Sequence, residues 1–310
     1  MSVVDRKKSH SLHLCKTPAE FLASFERTAG QTVAAFVERF ASADRIAASL
    51  LVGSIPLGIG SSASDVDIVA LIDDASALRD ETRIEDDENI VFTGRSDDQT
   101  TALVLAEVIA FLGGVEVHLE FILASRVGEW AKQATESRVS LAAQQVRILG
   151  RVKTGWVLSS RESSDGVCGA LMRDNSLEVH CAVTSFVYAL QDLEDARVAL
   201  AGNVPLALHL GRSCVERCFA ACFATKGFAH LGSKWLRFLK TADESLRGLA
   251  DAGVPLLFPS LGDRASAESY LNDVAELTAL ARDVIQRDTA FRVAFRMCPQ
   301  IYDPRMVSVS

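Results

Sequence analysis

The segment Gly53-Ser-Ile-Pro-Leu-Gly-Ile-Gly-Ser-Ser-Ala-Ser-Asp-Val-Asp67 joins a Gly-Ser turn to two aspartates that are separated by a single valine. The apolar run over residues 46–52 precedes it and predicts a buried strand that ends at the Gly-Ser pair. Asp65 and Asp67 open a second apolar run, and because side chains alternate between the faces of a strand, both carboxylates are expected on one face. The segment therefore predicts two strands joined by a loop rich in glycine and serine, with two acidic side chains beside that loop.

This arrangement of carboxylates suits a divalent cation, and the loop before it suits a phosphate. Mg²⁺ prefers oxygen ligands and usually keeps waters and substrate phosphates as its other ligands. Gly53 lets the backbone approach a ligand closely, and the hydroxyl groups of Ser54 and Ser64 can donate hydrogen bonds to phosphate oxygens. No lysine follows the glycines, so the loop is not of the Walker type. The pattern indicates nucleotidyl transfer, which depends mainly on positioning and charge neutralisation.

Residues 53–67, with Gly-Ser, a spacer and Ser-Asp-Val-Asp between two apolar runs, resemble the signature of the DNA polymerase beta type nucleotidyltransferase superfamily. The resemblance implies that Asp65 and Asp67 bind two Mg²⁺ ions, while the Gly-Ser pair and Ser64 bind the triphosphate. It implies an enzyme that transfers a nucleoside monophosphate to a hydroxyl group and releases pyrophosphate, with ATP as the expected donor. An ordinary turn rich in serine and glycine would explain the glycines but not the placement of the aspartates.

The resemblance also implies a third acid on a neighbouring strand. Residues 113–123 (Gly-Gly-Val-Glu-Val-His-Leu-Glu-Phe-Ile-Leu) predict a tight turn and then a strand with Glu116, His118 and Glu120 on one face. Either glutamate would complete the metal site or accept the hydroxyl proton, and the sequence does not show which of the two is the third acid. Glu120 is included among the expected metal ligands. Glutamate replaces the more usual aspartate, and its longer side chain suits a base better than a metal ligand. His118 is interpreted as a polar residue of a half-exposed strand rather than as a catalytic one.

The chain is predicted to have an α+β fold with two domains. Residues 1–160 mix helices and strands and form the expected nucleotidyltransferase domain, a mixed β-sheet flanked by helices. Residues 161–310 are helical almost throughout and form an α-helical bundle, to which the resemblance assigns acceptor binding. The polar stretch 159–166 is interpreted as a linker or an exposed loop.

Hydrophobic periodicity and turn signals predict the main elements. Helical patterns cover residues 18–40, 126–153, 176–201, 205–226, 233–252 and 265–290. A short strand is predicted over residues 89–93, and residues 107–112 are either a strand or the end of a helix.

A nucleotidyltransferase domain followed by a bundle resembles the antibiotic-modifying members of the superfamily, in which the bundle closes over the cleft and supplies acceptor contacts. The phrase Gly-Ser-Lys234-Trp235 at a predicted helix start adds to this resemblance. It implies that Lys234 contacts the triphosphate, although plain solvation also explains an exposed lysine. For Trp235, packing inside the bundle is favoured over stacking on a base.

Charge and composition limit the class of acceptor. The 310 residues are 49% hydrophobic and 23% charged, and the net charge is −8 with a pI near 5.3. Polynucleotide binding draws most of its affinity from Lys and Arg, so an acidic chain argues against a nucleic-acid acceptor. A small hydroxyl-bearing acceptor fits better, and an acidic chain would suit an acceptor that carries a positive charge.

The N-terminus and the cysteines indicate a cytoplasmic protein. Residues 1–10 are polar, and no apolar run reaches the 18 or more residues that span a bilayer, so no membrane partner is expected. The seven cysteines are an odd number and include no Cys-x-x-Cys pair, which predicts reduced thiols. Cys214, Cys218 and Cys222 recur every four residues on a predicted helix and are interpreted as small buried side chains.

Two other classes of function remain open at this point. A protein-modifying enzyme that adds a nucleotide to a Tyr, Ser or Thr of a partner, as antitoxin-like members of the superfamily do, would use the same residues. A non-catalytic nucleotide-binding protein would be favoured if neither Glu116 nor Glu120 lay near Asp65 and Asp67. A homodimer is compatible with the sequence, which does not determine the oligomeric state or the acceptor.

Overall fold

The structure is a computed structural model, and the part of the chain that it describes falls into two compact units. It describes residues 12–58, 60, 64–79, 90–96, 102–135, 141–161, 175–229, 246–260 and 262–296. The first unit contains the described residues up to 161, and the second contains those from 175 onward. Residues 162–166 of the predicted linker lie outside the described residues, whereas Ser159 and Ser160 end a strand instead of opening a loop.

Within the described residues, the first unit contains a six-stranded mixed sheet. The strands are β1 (Ile46–Val52), β2 (Val66–Ile72), β3 (Ile90–Arg95), β4 (Ala106–Leu112), β5 (Val115–Leu123) and β6 (Trp156–Ser160). Their order across the sheet is β3-β4-β5-β2-β1-β6, with β2 and β5 parallel and all other neighbours antiparallel. The central strands β1 and β2 are buried along almost their whole length, which explains why both are nearly continuous apolar runs.

Four helices accompany the sheet in the described part of this unit. They are α1 (Pro18–Ala29), α2 (Val33–Glu38), α3 (Ala124–Thr135) and α4 (Ala143–Thr154). The prediction of one helix over residues 18–40 is wrong, because Gly30 adopts a left-handed conformation with φ of 71° and ends α1. Thr32 then accepts a hydrogen bond from the backbone N–H of Ala35 and caps α2. The pattern over residues 126–153 likewise forms two helices, α3 and α4, instead of one.

One face of the sheet packs against the N-terminal helices. Ile68 of β2 and Leu119 of β5 join Phe21, Phe25 and Phe36 in a single apolar cluster, and none of the five is more than 1% exposed. α3 contacts β5, and α4 contacts β1. Burial of large apolar side chains is the main stabilising contribution to a unit of this kind, at about 1.5 to 3 kcal/mol per side chain.

The turn between β4 and β5 settles the alternative left open for residues 107–112, which form a strand. Leu112 pairs with Val115, so that Gly113 and Gly114 make the turn, with φ of 57° and 85°. Tight hairpin turns with two positive φ angles match the twist of the flanking strands and favour glycine at both positions. The predicted hairpin at this point is confirmed.

The second unit is helical in its described part. Its helices are α5 (Ser176–Ala199), α6 (Val204–Ala224), α7 (Arg247–Gly253), α8 (Arg264–Gln286) and α9 (Thr289–Arg296). α5 and α6 pack along each other, and α8 packs against both. The α+β fold class, a mixed sheet flanked by helices followed by C-terminal helices, is confirmed. Most of the helix predicted over residues 233–252 lies outside the described residues.

The cysteine stripe of α6 is part of the core of the second unit. Cys214, Cys218 and Cys222 are all 0% exposed, and the thiols of the first two lie 3.5 and 3.7 Å from the hydroxyl of Thr278 on α8. All five cysteines in the described residues are free thiols. Their interpretation as small buried side chains is confirmed.

Within the described residues, no helix combines the length and the apolar character needed to cross a bilayer.

The Gly113-Gly114 turn allows a stability test. A Cβ atom on Gly113 would lie 1.8 Å from the carbonyl oxygen of Thr28, so that the hairpin or the end of α1 must move. We expect Gly113→Ala to cost at least about 3 kcal/mol in the free energy of unfolding, measured by urea denaturation. Gly30→Ala is the matched control, because Gly30 also has positive φ but has no atom within 4 Å of the added Cβ. It should cost only the conformational strain of about 1 to 2 kcal/mol. Equal losses would contradict a steric role for Gly113.

Candidate active site

The parallel pairing of β2 with β5 places the predicted acidic residues side by side. Asp67 pairs with His118, and Val66 with Val117, so the strands enter the sheet in register from the same end. Asp67 and His118 lie on the face of the sheet opposite Ile68 and Leu119, because side chains alternate along each strand. The polar residues of both strands therefore meet on one face and at one end.

The Gly-Ser turn that follows β1 is shaped around one of these carboxylates. Gly53 has φ of 79°, and a Cβ atom on it would lie 2.3 Å from Oδ2 of Asp67. Any other residue would both strain the backbone and collide with the carboxylate. Ser54 is buried and Ser64 is half-buried. The roles of Gly53, Ser54 and Ser64 in binding phosphate remain predictions, but the structure shows that Gly53 holds open the space that Asp67 occupies.

Asp65, Glu116 and His118 form a compact cluster beside that turn. Nε2 of His118 lies 2.8 Å from Oε1 of Glu116 and 3.9 Å from Oδ2 of Asp65. One ligand atom from each of the three side chains lies within 4.8 Å of the other two, and all three residues are half-buried. Of the two glutamates that sequence reasoning left open, Glu116 is the one that lies in this cluster.

The charge of the cluster acts on the histidine. Burial alone lowers the pKa of His118, but the hydrogen bond with Glu116 and the negative charges of Asp65, Asp67 and Glu116 outweigh it and raise the pKa above its ordinary value of 6.5. A protonated imidazole is thus favoured between carboxylates in the absence of another cation. The cluster behaves as a site that attracts positive charge.

Glu120 has a different partner. Nη1 of Arg151, on α4, donates to both carboxylate oxygens of Glu120 at 2.7 Å. The side chains of Glu120 and Arg151 are only 9% and 8% exposed, whereas the neighbouring Arg147, 3.7 Å from Glu120, is 61% exposed. The expected role of Glu120 as a metal ligand remains a prediction, and its observed contact is an ion pair.

Arg151 also acts on Asp67. Its Nη2 lies 3.8 Å from Oδ1 of Asp67, a side chain that is 30% exposed. Burial raises the pKa of Asp67, as do the charges of Glu120 and Asp65, while the positive charges of Arg151 and His118 act in the opposite direction. Arg151 therefore favours the ionised form of Asp67 and opposes the effect of burial.

Sequence reasoning missed Arg151, although a signal was present. Arg151 lies among Ile148, Leu149 and Val152 on α4, and all four are buried. A lone arginine on the apolar side of a helix requires a buried acid as its partner, because an unpaired buried charge is costly. Lys234 and Trp235, which sequence reasoning added from the second unit, lie outside the described residues.

Comparisons with known proteins found similar chains among the solved structures. The chain is similar to a nucleotidyltransferase-like protein from Exiguobacterium sibiricum 255-15, known from a crystal structure, with 13% sequence identity and a TM-score of 0.41. The similarity covers 86% of this chain and 81% of that protein. No protein-family model and no curated protein matches the sequence. The functional assignment therefore depends on the geometry of the site itself.

The ion pair between Glu120 and Arg151 predicts a large stability difference between two arginines. Arg151→Met leaves Glu120 buried without its partner and should lower the free energy of unfolding by about 3 to 5 kcal/mol. Arg147→Met removes an exposed arginine near the same carboxylate and should cost less than about 1 kcal/mol. Chemical unfolding of both variants beside the wild type makes the comparison. Similar losses of stability in both variants would contradict a special contribution of the buried ion pair.

The raised pKa of His118 is directly measurable. An NMR titration in metal-free buffer should give a value above 6.5, and Glu116→Gln should lower it because the hydrogen bond and one charge are lost. Glu129→Gln, an exposed carboxylate on α3, is the control and should leave the value unchanged. Because the folded-state pKa is raised, His118 contributes stability below pH 6.5 that is lost as the pH rises through the folded-state pKa. A titration of His118 below 6.5 in the wild type would contradict the charge distribution described here.

Proposed function

We propose that the protein is a metal-dependent nucleotidyltransferase that transfers a nucleoside monophosphate from a nucleoside triphosphate to a hydroxyl group of a small molecule and releases pyrophosphate. ATP is the donor we propose, and Mg²⁺ is the metal that the resemblance to the superfamily implies. The observation that carries the proposal is the meeting of Asp65 with Glu116 and His118. Asp67 lies opposite His118 and against the Gly53 turn, on the same face of the sheet.

The residues present fit a divalent cation. Carboxylate oxygens from two neighbouring strands lie on one face, and at least two of them, on Asp65 and Glu116, fall within 4.8 Å of each other. The space for the carboxylate of Asp67 exists only because Gly53 has no side chain. Metal ions bound here would offset the charge of the triphosphate and stabilise the attacking and leaving oxygens. We propose Asp65, Asp67 and Glu116 as the residues that hold them.

The choice of Glu116 over Glu120 follows from their partners. Both oxygens of Glu120 accept from Arg151, so this carboxylate is already neutralised and buried. Glu116 is half-buried and contacts a histidine and not a permanent cation. A carboxylate that must bind a metal or accept a proton from an acceptor hydroxyl has to be accessible. We therefore propose Glu116 as the third acid and Glu120 as the residue that holds Arg151 next to Asp67.

The rest of the substrate site is proposed from sequence. Gly53, Ser54 and Ser64 would contact the phosphates, and Lys234 would add a positive charge to the triphosphate. The net charge of −8 supports a small acceptor over a polynucleotide, and a cationic acceptor in particular. We propose a cytoplasmic enzyme on the basis of the free thiols among the described residues.

Calorimetric binding tests the proposal. A panel of nucleoside triphosphates would be titrated with Mg²⁺ into the wild type and into the double variant Asp65→Asn/Asp67→Asn. We expect magnesium-dependent binding of ATP by the wild type and a loss of at least about a hundredfold in the double variant, since two charged ligands are removed.

Glu26→Gln/Asp44→Asn is the matched control. It removes the same charge from exposed positions of the first unit and should bind like the wild type. Equal binding by both double variants would refute the site.

Incubation with ATP labelled at the α-phosphate then identifies the acceptor class: label in small molecules supports the proposal, and label in protein supports nucleotide addition to a partner.

A further inference from the structure

We propose that His118 is a metal ligand together with Asp65 and Glu116, and that this nitrogen donor gives the position a preference for a divalent first-row transition ion over Mg²⁺. The inference depends on the proposed function, since it concerns one metal position of the same site. It assigns a role to a residue that sequence reasoning interpreted as an ordinary polar residue of a half-exposed strand.

The fold points the imidazole at the proposed metal position. His118 lies on β5 directly opposite Asp67 of β2, and Glu116 lies two residues earlier on the same face. The nitrogen that faces Glu116 at 2.8 Å is the same nitrogen that faces Asp65 at 3.9 Å. A single ion among these atoms would therefore receive one nitrogen and two oxygens from two strands.

The spacing of the three atoms matches what one ion requires. With metal–ligand bonds of about 2.1 Å, adjacent ligands of an octahedral ion lie about 3.0 Å apart and opposite ligands about 4.2 Å apart. The distances of 2.8 Å from His118 to Glu116 and 3.9 Å from His118 to Asp65 are close to these two values. The ligand atoms of Asp65 and Glu116 lie within 4.8 Å of each other, so all three atoms lie near the spacing that one ion requires.

The donor chemistry decides which ion is preferred. Mg²⁺ takes oxygen ligands in a strict octahedral arrangement, whereas imidazole nitrogen suits first-row transition ions. Affinity for a mixed nitrogen and oxygen set rises across that series from Mn²⁺ onward. One imidazole among the ligands thus favours a transition ion at this position.

The buried Arg151 acts on other carboxylates and not on this cluster. Arg151 donates to Glu120 and lies 3.8 Å from Asp67, so its charge serves those two carboxylates. Asp65 and Glu116 instead face Nε2 of His118, at 3.9 and 2.8 Å. An ion bound by the neutral imidazole and the two carboxylates would offset the negative charge of both.

Electron spin resonance with Mn²⁺ tests the assignment. The full chain, free of nucleotide and of other metals, would be loaded with Mn²⁺, and pulsed measurements would detect the ¹⁴N coupling of a coordinated imidazole. We expect this coupling in the wild type and in His209→Asn, which removes an exposed histidine of α6. It should be absent in His118→Asn and His118→Gln, with circular dichroism showing that these variants are folded.

Affinities provide the second measurement. Loss of the nitrogen ligand should weaken Mn²⁺ binding by at least about tenfold, because even residues that only support a ligand change affinity by that much. Mg²⁺ binding, measured by competition, should change by less than about threefold in the same variants. The ratio of Mn²⁺ to Mg²⁺ affinity should therefore fall in both His118 variants and stay constant in His209→Asn.

Two results would overturn the inference. Mn²⁺ bound to the wild type without nitrogen coupling would show that His118 is not a ligand. The proposed function would still stand in that case if the wild type bound ATP with Mg²⁺ and Asp65→Asn/Asp67→Asn did not. Absence of Mn²⁺ binding at millimolar concentration would also overturn it, since a site formed by three side chains of the folded sheet does not need the nucleotide. Failure of ATP binding in the separate calorimetric experiment would count against the proposed function alone.

Discussion

The in-register parallel pairing of β2 with β5 is the constraint on which the site depends. It sets Asp67 opposite His118 and so decides that Asp65 meets Glu116 and not Glu120. A shift of one residue along either strand would turn one set of polar side chains into the apolar cluster of the opposite face. The buried residues of that face, such as Ile68 and Leu119, therefore hold the register that the chemistry needs.

The buried ion pair of Glu120 with Arg151 divides the acidic residues into two groups. Glu120 and Asp67 lie near a permanent positive charge, whereas Asp65 and Glu116 lie near a histidine whose charge depends on pH. Both oxygens of Glu120 accept hydrogen bonds from Arg151. One arginine on α4 thus separates the partners of the two glutamates, although it belongs neither to the Gly-Ser turn nor to the Ser-Asp-Val-Asp segment.

The elements that sequence analysis predicted well carry their signal locally. The strand at residues 46–52 agrees with β1 at both ends because a central strand is apolar throughout. The helix predicted over residues 18–40 failed at Gly30, since apolar periodicity resumes with Val33 and Phe36 and hides a break that needs only one glycine. The acidic pair of β2 was likewise visible as a pattern.

The sequence did not show the choice between Glu116 and Glu120, because that choice depends on strand register and on a distant residue. Arg151, the partner of Glu120, lies more than thirty positions away from it in the chain. Periodicity gives the face on which a side chain lies but not the strand that faces it or the charge that reaches it. The contacts of His118 were not visible for the same reason: its neighbours in the chain are apolar, and Asp65 directly precedes a different strand.

The route of the chain between β2 and β5 has a consequence for folding. After β2 the chain goes to the far edge of the sheet as β3 and returns through β4 to place β5 beside β2. The β3-β4-β5 meander and the β1-β2 pair need mostly local contacts, whereas joining β2 to β5 closes a longer loop and carries a larger entropic cost. The two halves of the acidic cluster belong to the two sides of that junction. A cation that binds both halves would thus recognise only the completed sheet and would stabilise the native chain over partly assembled forms.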